Sequence, residues 1–471
     1  MKNGLIIDCF CGGGGATEGI EQALGRPVDI GVNHDKEAIR LHMVNHPETL
    51  HLTEDIFTVD LEKYVAGRHV ALMWASPDCT QFSKAKGGKP REHGIRILPW
   101  AVHMHASKIF PDVIIMENVE EIQSWGELDE NGYPIKEKEG LEYERFMKAM
   151  SDLGYEYQTW ELVAADYGAP TTRKRWYAVF RRDGERIVRP METHSETGDL
   201  FREKWLECGD YINWSDLGKS IFDRKKPLAE NTQARIARGL KKFVIDSPHP
   251  YIVDDKAGYL IQYHSETTKT GVRGQELNKP IKTLDTQNRY GLVTAFLTKF
   301  YKSGTGQSCS KPLATITTSP GHFGLVSAFL TRYYGGESTH AVSLDKPIGT
   351  FTTRERYAIV SAFMMKYYGT GDNTTPCDKP VPTLTTKERF GLVTCGIDSE
   401  TYAITDIKMR MLEPEEMKLM QGFPKSYIID HDIDGRQINR KEQVAKIGNS
   451  VVPAMAKAIV QANCAYLATA M

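Results

Sequence analysis

Short apolar runs punctuate the first 180 residues. Gly4-Leu-Ile-Ile-Asp8, Val28-Asp-Ile30-Gly-Val32, Val70-Ala-Leu-Met73, Asp112-Val-Ile-Ile-Met116 and Trp176-Tyr-Ala-Val-Phe180 read as buried strands. Helical spacing intervenes, with Ile20, Ala23 and Leu24 on one face and Ala38 and Leu41 on another. Strand–helix alternation predicts a mostly parallel sheet, whose polar strand-end residues gather on the edge where open α/β sheets bind ligands. After about residue 190 the alternation stops. Residues 260–397 instead hold an internal repeat, marked by Pro280, Pro312, Pro347 and Pro380 at spacings of 32, 35 and 33. Each copy reads as turn, β-branched strand, turn, apolar strand, so 277–397 predicts about four hairpin-like modules. Helical pattern returns from Arg410 to Glu416, stops at Gln421-Gly422-Phe423-Pro424, and resumes over Ala454–Ile459 behind Pro453.

Candidate chemistry sits at the strand ends. Cys9-Phe10-Cys11-Gly12-Gly13-Gly14-Gly15 joins a strand to a helix, as where backbone must approach a ligand closely. The dinucleotide signature fails because its third glycine would fall at Thr17, so a nucleotide-like ligand other than NAD is favoured. The alternative is a glycine turn with no ligand. Asn33-His34-Asp35 closes the second strand, where such folds place a polar group on a ribose, and Asp55-Ile56 follows a third short segment. Pro77 breaks the fourth strand, with Cys79 two residues on and Lys84, Lys86, Lys89 and Arg91 behind it. A thiol there suits a nucleophile meeting a phosphate-bearing substrate; a buried structural cysteine is the other reading. Glu117 ends the next strand as a candidate general acid, or as a helix cap. Arg173-Lys-Arg175 is a clamp for a base carbonyl or phosphate, or a solvated edge. Lys299-Phe-Tyr301, Arg332-Tyr-Tyr334 and Lys366-Tyr-Tyr368 end the first three repeat units, placed to grip phosphates and stack on bases, or to fill hairpin cores.

Length and charge narrow this further. At 471 residues the chain predicts two or three domains. The net charge of −2 announces no polyanion partner, although a neutral total can hide a basic cleft. No apolar stretch approaches the roughly 20 residues of a membrane helix, and the acidic turn at Asp8 comes too early for a signal peptide, so an intracellular protein is expected. Eight cysteines form no CxxC pair; neither zinc nor disulfides are expected, with Cys9-Phe-Cys11 the one spacing worth checking.

Taken in order, these motifs resemble the DNA (cytosine-5) methyltransferase family. Asp8-Cys-Phe10-Cys-Gly12-Gly-Gly14-Gly looks like its cofactor loop, Pro77-Asp-Cys79 like its Pro-x-Cys and Glu117-Asn-Val119 like its Glu-Asn-Val. Arg173-Lys-Arg175 is similar to its Arg-x-Arg. Arg410-x-Leu412, Gln421-Gly-Phe-Pro424 and Gly448-Asn449-x-Val451 match its last motifs. The chain departs at Asn33, where the family carries a ribose-binding Glu, at Thr171 in place of Gln, and at Asp78, which gives a minority form of the cysteine motif.

The resemblance implies an α/β, Rossmann-like S-adenosylmethionine-dependent methyltransferase fold with a large inserted, mostly β, repeat-containing target-recognition domain. It implies a catalytic domain over 1–185, the insert over 186–407, a connecting segment over 408–440 and a returning helix over 441–471. Catalytic residues would be Cys79, Glu117, Arg173 and Arg175. S-adenosylmethionine would lie against Phe10, Gly12, Gly14, Asn33, His34, Asp55, Ile56, Pro77, Asn449 and Val451. Ser83, Lys84, Lys86, Lys89 and Arg91 would close over DNA. The expected reaction is methylation of C5 of a flipped-out cytosine in double-stranded DNA, within a specific short sequence, through a Cys79–C6 adduct. The expected protein is a monomer without metal, cytoplasmic and nucleoid-associated, encoded by a bacterium or phage, beside a separate restriction endonuclease. An RNA (tRNA) cytosine-C5 methyltransferase of the same fold, or a catalytically silent DNA-binding module, are the alternatives.

Overall fold

The computed structural model describes residues 4–78, 97–222, 228, 230–253, 256–263, 274–300 and 400–469, with seven short strands between 329 and 397. Side chains of these residues are described except at 230, 231, 234 and 296–405. The described residues form two compact units. The first comprises Met1–Ile212, Lys279–Asn288 and Glu413–Met471; the second comprises Asn213–Asn278 and Arg289–Leu412.

Seven strands make the sheet of the first unit: β1 (Leu5–Cys9), β2 (Ile30–Val32), β3 (Leu50–Leu52), β4 (Val70–Ala75), β5 (Val113–Asn118), β6 (Glu156–Val163) and β7 (Lys174–Arg181). They lie in the order β3-β2-β1-β4-β5-β7-β6. Neighbours from β3 to β5 are parallel, and β7 runs antiparallel between β5 and β6. The carboxyl ends of β1 to β5 and the start of β7 therefore share one edge. The order reverses between β1 and β4, the topological switch point where ligands bind.

The continuous apolar runs are explained by burial on both faces. Ile7, Met73, Ile114, Met116, Trp176 and Phe180 face one core with α3 (Leu61–Val65), α4 (Leu98–Ile109) and α5 (Leu141–Asp152). Their neighbours Ile6, Leu72, Trp74, Ile115, Tyr177 and Val179 face a second core, shared with α1 (Gly15–Leu24) and α8 (Pro453–Cys464). The C-terminal helix thus completes a layer begun by α1. Three of the glycines at the chain start serve that closure. A Cβ on Gly15 would lie 2.0 Å from the Val451 carbonyl, one on Gly19 2.3 Å from that of Pro453, and one on Gly13 2.7 Å from Ser450 Oγ.

Two helices precede α8. The structure begins α6 (Pro414–Met420) four residues after Arg410, which still belongs to a strand. Proline at its first position and the Glu416 carboxylate, which accepts the Glu413 N–H at 2.8 Å, fix that start. The returning helix expected over 441–471 is two helices, α8 and, before it, α7 (Arg440–Asn449), which the Asn439 side chain opens by accepting the Glu442 N–H.

In the second unit, antiparallel strands pack on the helix Glu230–Leu240 around Ile236, Leu240, Phe243, Tyr259, Ile261, Val293 and Met409. The repeating element is a three-stranded module rather than a hairpin. Lys256–Gln262 lies between Gly274–Glu276 and Tyr290–Phe300. Phe329–Arg332 lies between Ala341–Ser343 and Tyr357–Val360, and Phe363–Lys366 between Thr374–Pro376 and Phe390–Leu392. Lys299 lies in Tyr290–Phe300, the last strand of the first module, whereas Arg332 and Lys366 end the opening strand of theirs. Gly258-Tyr-Leu-Ile-Gln-Tyr263 is the first copy of that strand, with Gln262 where later copies carry a cation. That divergence hid it from the sequence pattern. Among the described residues, no helix is long and apolar enough to cross a membrane.

Candidate active site

The glycine loop leaves β1 through backbone that L-residues avoid. Phe10 sits at φ 67°, Gly12 at 50° and Gly14 at 83°. A Cβ on Gly12 would meet nothing nearer than the Phe10 carbonyl at 3.6 Å, so this glycine borders open space. Thr17, which spoils the dinucleotide signature, has a structural task. Its hydroxyl donates to the buried Asp8 carboxyl at 2.7 Å. Burial pushes Asp8 up to about 7, the Thr17 bonds opposing it.

The ends of β2 and β3 add polar groups on the same edge. Asn33 Oδ1 accepts the Asp35 N–H at 2.8 Å, which leaves its amide nitrogen to donate to a ligand hydroxyl. His34 and Asp55 are exposed, and Ile56 is buried with its carbonyl bonded to His105 Nε2 at 2.7 Å. Asp35 caps α2 (Lys36–Asn45) and pairs with Lys446 of α7. Burial works against its charge, yet Lys446 and two helix N–H groups outweigh that and hold its carboxyl below the usual range. The pair ties the β2 end to the segment carrying Asn449, which is exposed, and Val451, which is buried. A glycine that borders open space and polar groups at the ends of β2 and β3 on the same sheet edge fit a nucleoside-bearing ligand.

At the centre of the edge, β4 ends at Ala75 and the buried Pro77 follows. Asn118, wholly buried at the end of β5, donates its amide to the Pro77 carbonyl at 3.1 Å. This bond anchors the backbone entering Cys79 to the strand that carries Glu117, a tie the sequence did not disclose. Asp78 is exposed just before Cys79. Cys79, Ser83, Lys84, Lys86, Lys89 and Arg91 lie outside the described residues.

Glu117 is 7 % exposed, and Arg175 Nε lies 3.3 Å from its Oε1. That nitrogen has no aligned hydrogen-bond partner, so the contact is an ion pair rather than a bond that spends the carboxyl. Arg175 Nη1 donates instead to the Lys174 carbonyl at 2.7 Å.

Arg173 does not join this pair. It is 5 % exposed, and its Nη1 donates to the carbonyls of Leu284 at 3.3 Å and Gly448 at 3.0 Å. Residues 279–288, the Lys-Pro segment of the first repeat, run beside it. Ile281 bridges Thr171, and a Cβ on Gly448 would lie 2.1 Å from the Asp285 carbonyl. Arg173 is thus a buried staple between three distant segments, an architectural role beside the catalytic one expected of it. Arg173→Met is expected to cost about 2–4 kcal/mol of stability, because two carbonyls lose a charged donor. Urea unfolding followed by circular dichroism checks this; an unchanged midpoint refutes it.

Among the described residues, no group of three or more His, Cys, Asp or Glu side chains could hold a metal ion, and Cys9 and Cys11 are buried free thiols. Burial raises both.

The 3-2-1-4-5-7-6 sheet with a glycine loop at its switch point defines a Rossmann-like methyltransferase fold. Within that class the chain belongs to the C-5 cytosine-specific DNA methylase family, whose model matches residues 5–464. Members of the family use S-adenosylmethionine as methyl donor. The Type II methyltransferase M.AgeI of Thalassovita gelatinovora is 30% identical over 194 residues, covering 40% of this chain and 42% of that protein. M1.HphI of Haemophilus parahaemolyticus, also a Type II methyltransferase, is 28% identical over 281 residues, covering 57% and 70%. The matches span 42% of M.AgeI and 53% of M.SacI of Streptomyces achromogenes, about half of either relative. A solved structure of a Spodoptera frugiperda DNMT2 mutant aligns over 98% of this chain and 99% of its own, at 13% identity and a TM-score of 0.49.

Proposed function

We propose that the protein transfers a methyl group from S-adenosylmethionine to C5 of cytosine within a specific short sequence of double-stranded DNA. The observation that carries this reading is the Glu117–Arg175 pair, joined through Asn118 and the Pro77 carbonyl to the backbone that enters Cys79. Family membership supplies the reaction class. When bound, S-adenosylmethionine supplies an electrophilic sulfonium methyl.

Cytosine C5 is too electron-poor to attack that methyl unaided. The Cys79 thiolate adds to C6, and the Glu117 carboxyl gives a proton to N3, so the ring becomes a neutral enamine with a nucleophilic C5. Arg175 lies beside Glu117 to hold the base O2. Once C5 carries the methyl, its proton leaves to solvent, N3 returns its proton and C6 expels the thiolate. The target base must leave the duplex to reach these groups. The cationic residues Lys84, Lys86, Lys89 and Arg91 grip phosphates around it, the modular second unit reads the sequence, and Asn33 stands in for a ribose-binding carboxylate. The relatives' name of Type II methyltransferase supports a protective role beside a separate endonuclease.

Expression in a host lacking cytosine methylation, followed by bisulfite sequencing, tests the reaction. Protection at one recurrent short motif is the expected outcome. Full conversion throughout the genome, with active protein present, refutes the reading.

A further inference from the structure

Three side chains outside the reaction centre, Tyr427, His46 and Glu21, converge beneath the glycine loop, and the reaction above gives them no task. Tyr427 is 4 % exposed, and its hydroxyl donates to the Gly13 carbonyl at 2.8 Å. His46 Nε2 stands 3.3 Å from the same phenol oxygen, and His46 Nδ1 lies 2.8 Å from Glu21 Oε2. The imidazole thus stands between the phenol oxygen and the Glu21 carboxylate. Glu21 also accepts the Val28 N–H at 3.2 Å, so the line from the loop ends on backbone beyond α1.

We propose that Tyr427 is a positioning residue for the cofactor loop, fixing it through the Gly13 carbonyl with His46 and Glu21 behind. The proposal rests on S-adenosylmethionine being the ligand of that loop.

Gly14 shows how closely the loop is fitted to this residue. A Cβ there would lie 2.0 Å from the Tyr427 hydroxyl and 3.0 Å from His46 Nε2. Gly14 is therefore required by the tyrosine as well as by its φ of 83°, and Gly12 is left as the glycine facing open space. Burial drives the Tyr427 phenol well above its usual range, so the hydroxyl remains a donor.

The tyrosine is itself held on all sides. Lys418 Nζ, nearly inaccessible, donates to the Tyr427 carbonyl at 2.8 Å and to that of Lys425 at 2.9 Å. The Asn45 amide grips the next residue from both directions, donating to the Ile428 carbonyl at 2.9 Å and accepting its N–H at 2.8 Å. The Phe423 ring packs against Tyr427 with centroids 4.6 Å apart. The Gln421-Gly-Phe-Pro424 turn thus delivers a rigid prop to a loop more than 400 residues earlier in the chain.

Isothermal titration of S-adenosylmethionine into the full-length protein, with methyl-transfer kinetics, tests this. Tyr427→Phe is expected to raise Kd and KM for S-adenosylmethionine about tenfold, the worth of one buried hydrogen bond, while kcat falls less than about threefold. Gly14→Ala is expected to weaken binding more. The double variant Gly14→Ala/Tyr427→Phe should bind tighter than Gly14→Ala alone, because the hydroxyl facing the new methyl is gone. Mere loss of stability would not reverse the sign in this way. Wild-type protein that fails to bind S-adenosylmethionine overturns the ligand reading beneath the proposal. Wild-type binding matched by Tyr427→Phe, or a double variant weaker than Gly14→Ala, overturns the clamp alone.

Discussion

Cys79→Ala is expected to abolish methyl transfer, by about 10⁴-fold or more, while leaving S-adenosylmethionine binding intact. The thiolate is the one group in the proposed scheme that makes C5 nucleophilic, and alanine offers no substitute. Most groups assigned to the cofactor lie away from the β4 end, and the carbonyl of Pro77, the nearest in sequence, accepts the Asn118 amide. Duplex DNA carrying 5-fluorocytosine at the target gives the sharpest measurement. Fluorine at C5 cannot leave as a proton, so after methylation the thiol is not expelled and the protein stays attached. Wild-type protein should give a denaturant-resistant band with that DNA and S-adenosylmethionine, and Cys79→Ala none. An adduct formed by the variant would move the nucleophile to another residue.

Five of the seven strands were readable because they are runs of mostly apolar residues, whereas β3 and the largely unburied β6 lack that mark. Ile6 and Ile7, or Met73 and Trp74, face opposite cores, so no alternation was needed and none was present. The strand ends were readable for the same reason, since the polar residues closing each run had to fall on one edge. The expected cofactor residues from Phe10 to Pro77 accordingly follow β1 to β4, and Glu117 lies at the end of β5. What local pattern could not supply were partners far away in the chain. Arg173 looks like a substrate cation beside Arg175, but its acceptors lie 111 and 275 residues onward. Gly13 and Gly15 belong to the loop read as a ligand turn, although they, with Gly19, make room for the C-terminal segment. His46 and Tyr427, separated by 381 residues, carried no signal at all. The module boundary was missed for a different reason. The first copy of its opening strand has lost the cation that marks the others, and strand pairing identifies it where residue identity does not.

Glu117→Gln is expected to lower kcat by about 10²–10⁴-fold, the usual worth of a positioned general acid, with KM for S-adenosylmethionine within a few-fold. The amide keeps the volume of the carboxyl on a strand whose six residues are all buried, so the fold should tolerate it. It keeps a donor toward N3 as well, but that donor cannot give up its proton. The variant therefore separates holding the base from protonating it. Release of tritium from cytosine labelled at C5 reports ring activation, since the C5 hydrogen is lost only after the thiolate has added. Slow release in Glu117→Gln, together with unimpaired DNA binding, places the deficit at proton delivery. A rate loss below about threefold would leave Glu117 as a structural counterion to Arg175, and the proton at N3 would then have to come from water. Arg175→Lys divides the same pair from the other side. It retains a charge beside Glu117 but gives up the planar fork that can bridge a carboxyl and a base carbonyl together. If Arg175 holds O2 as proposed, that change should cost activity even where the ion pair survives.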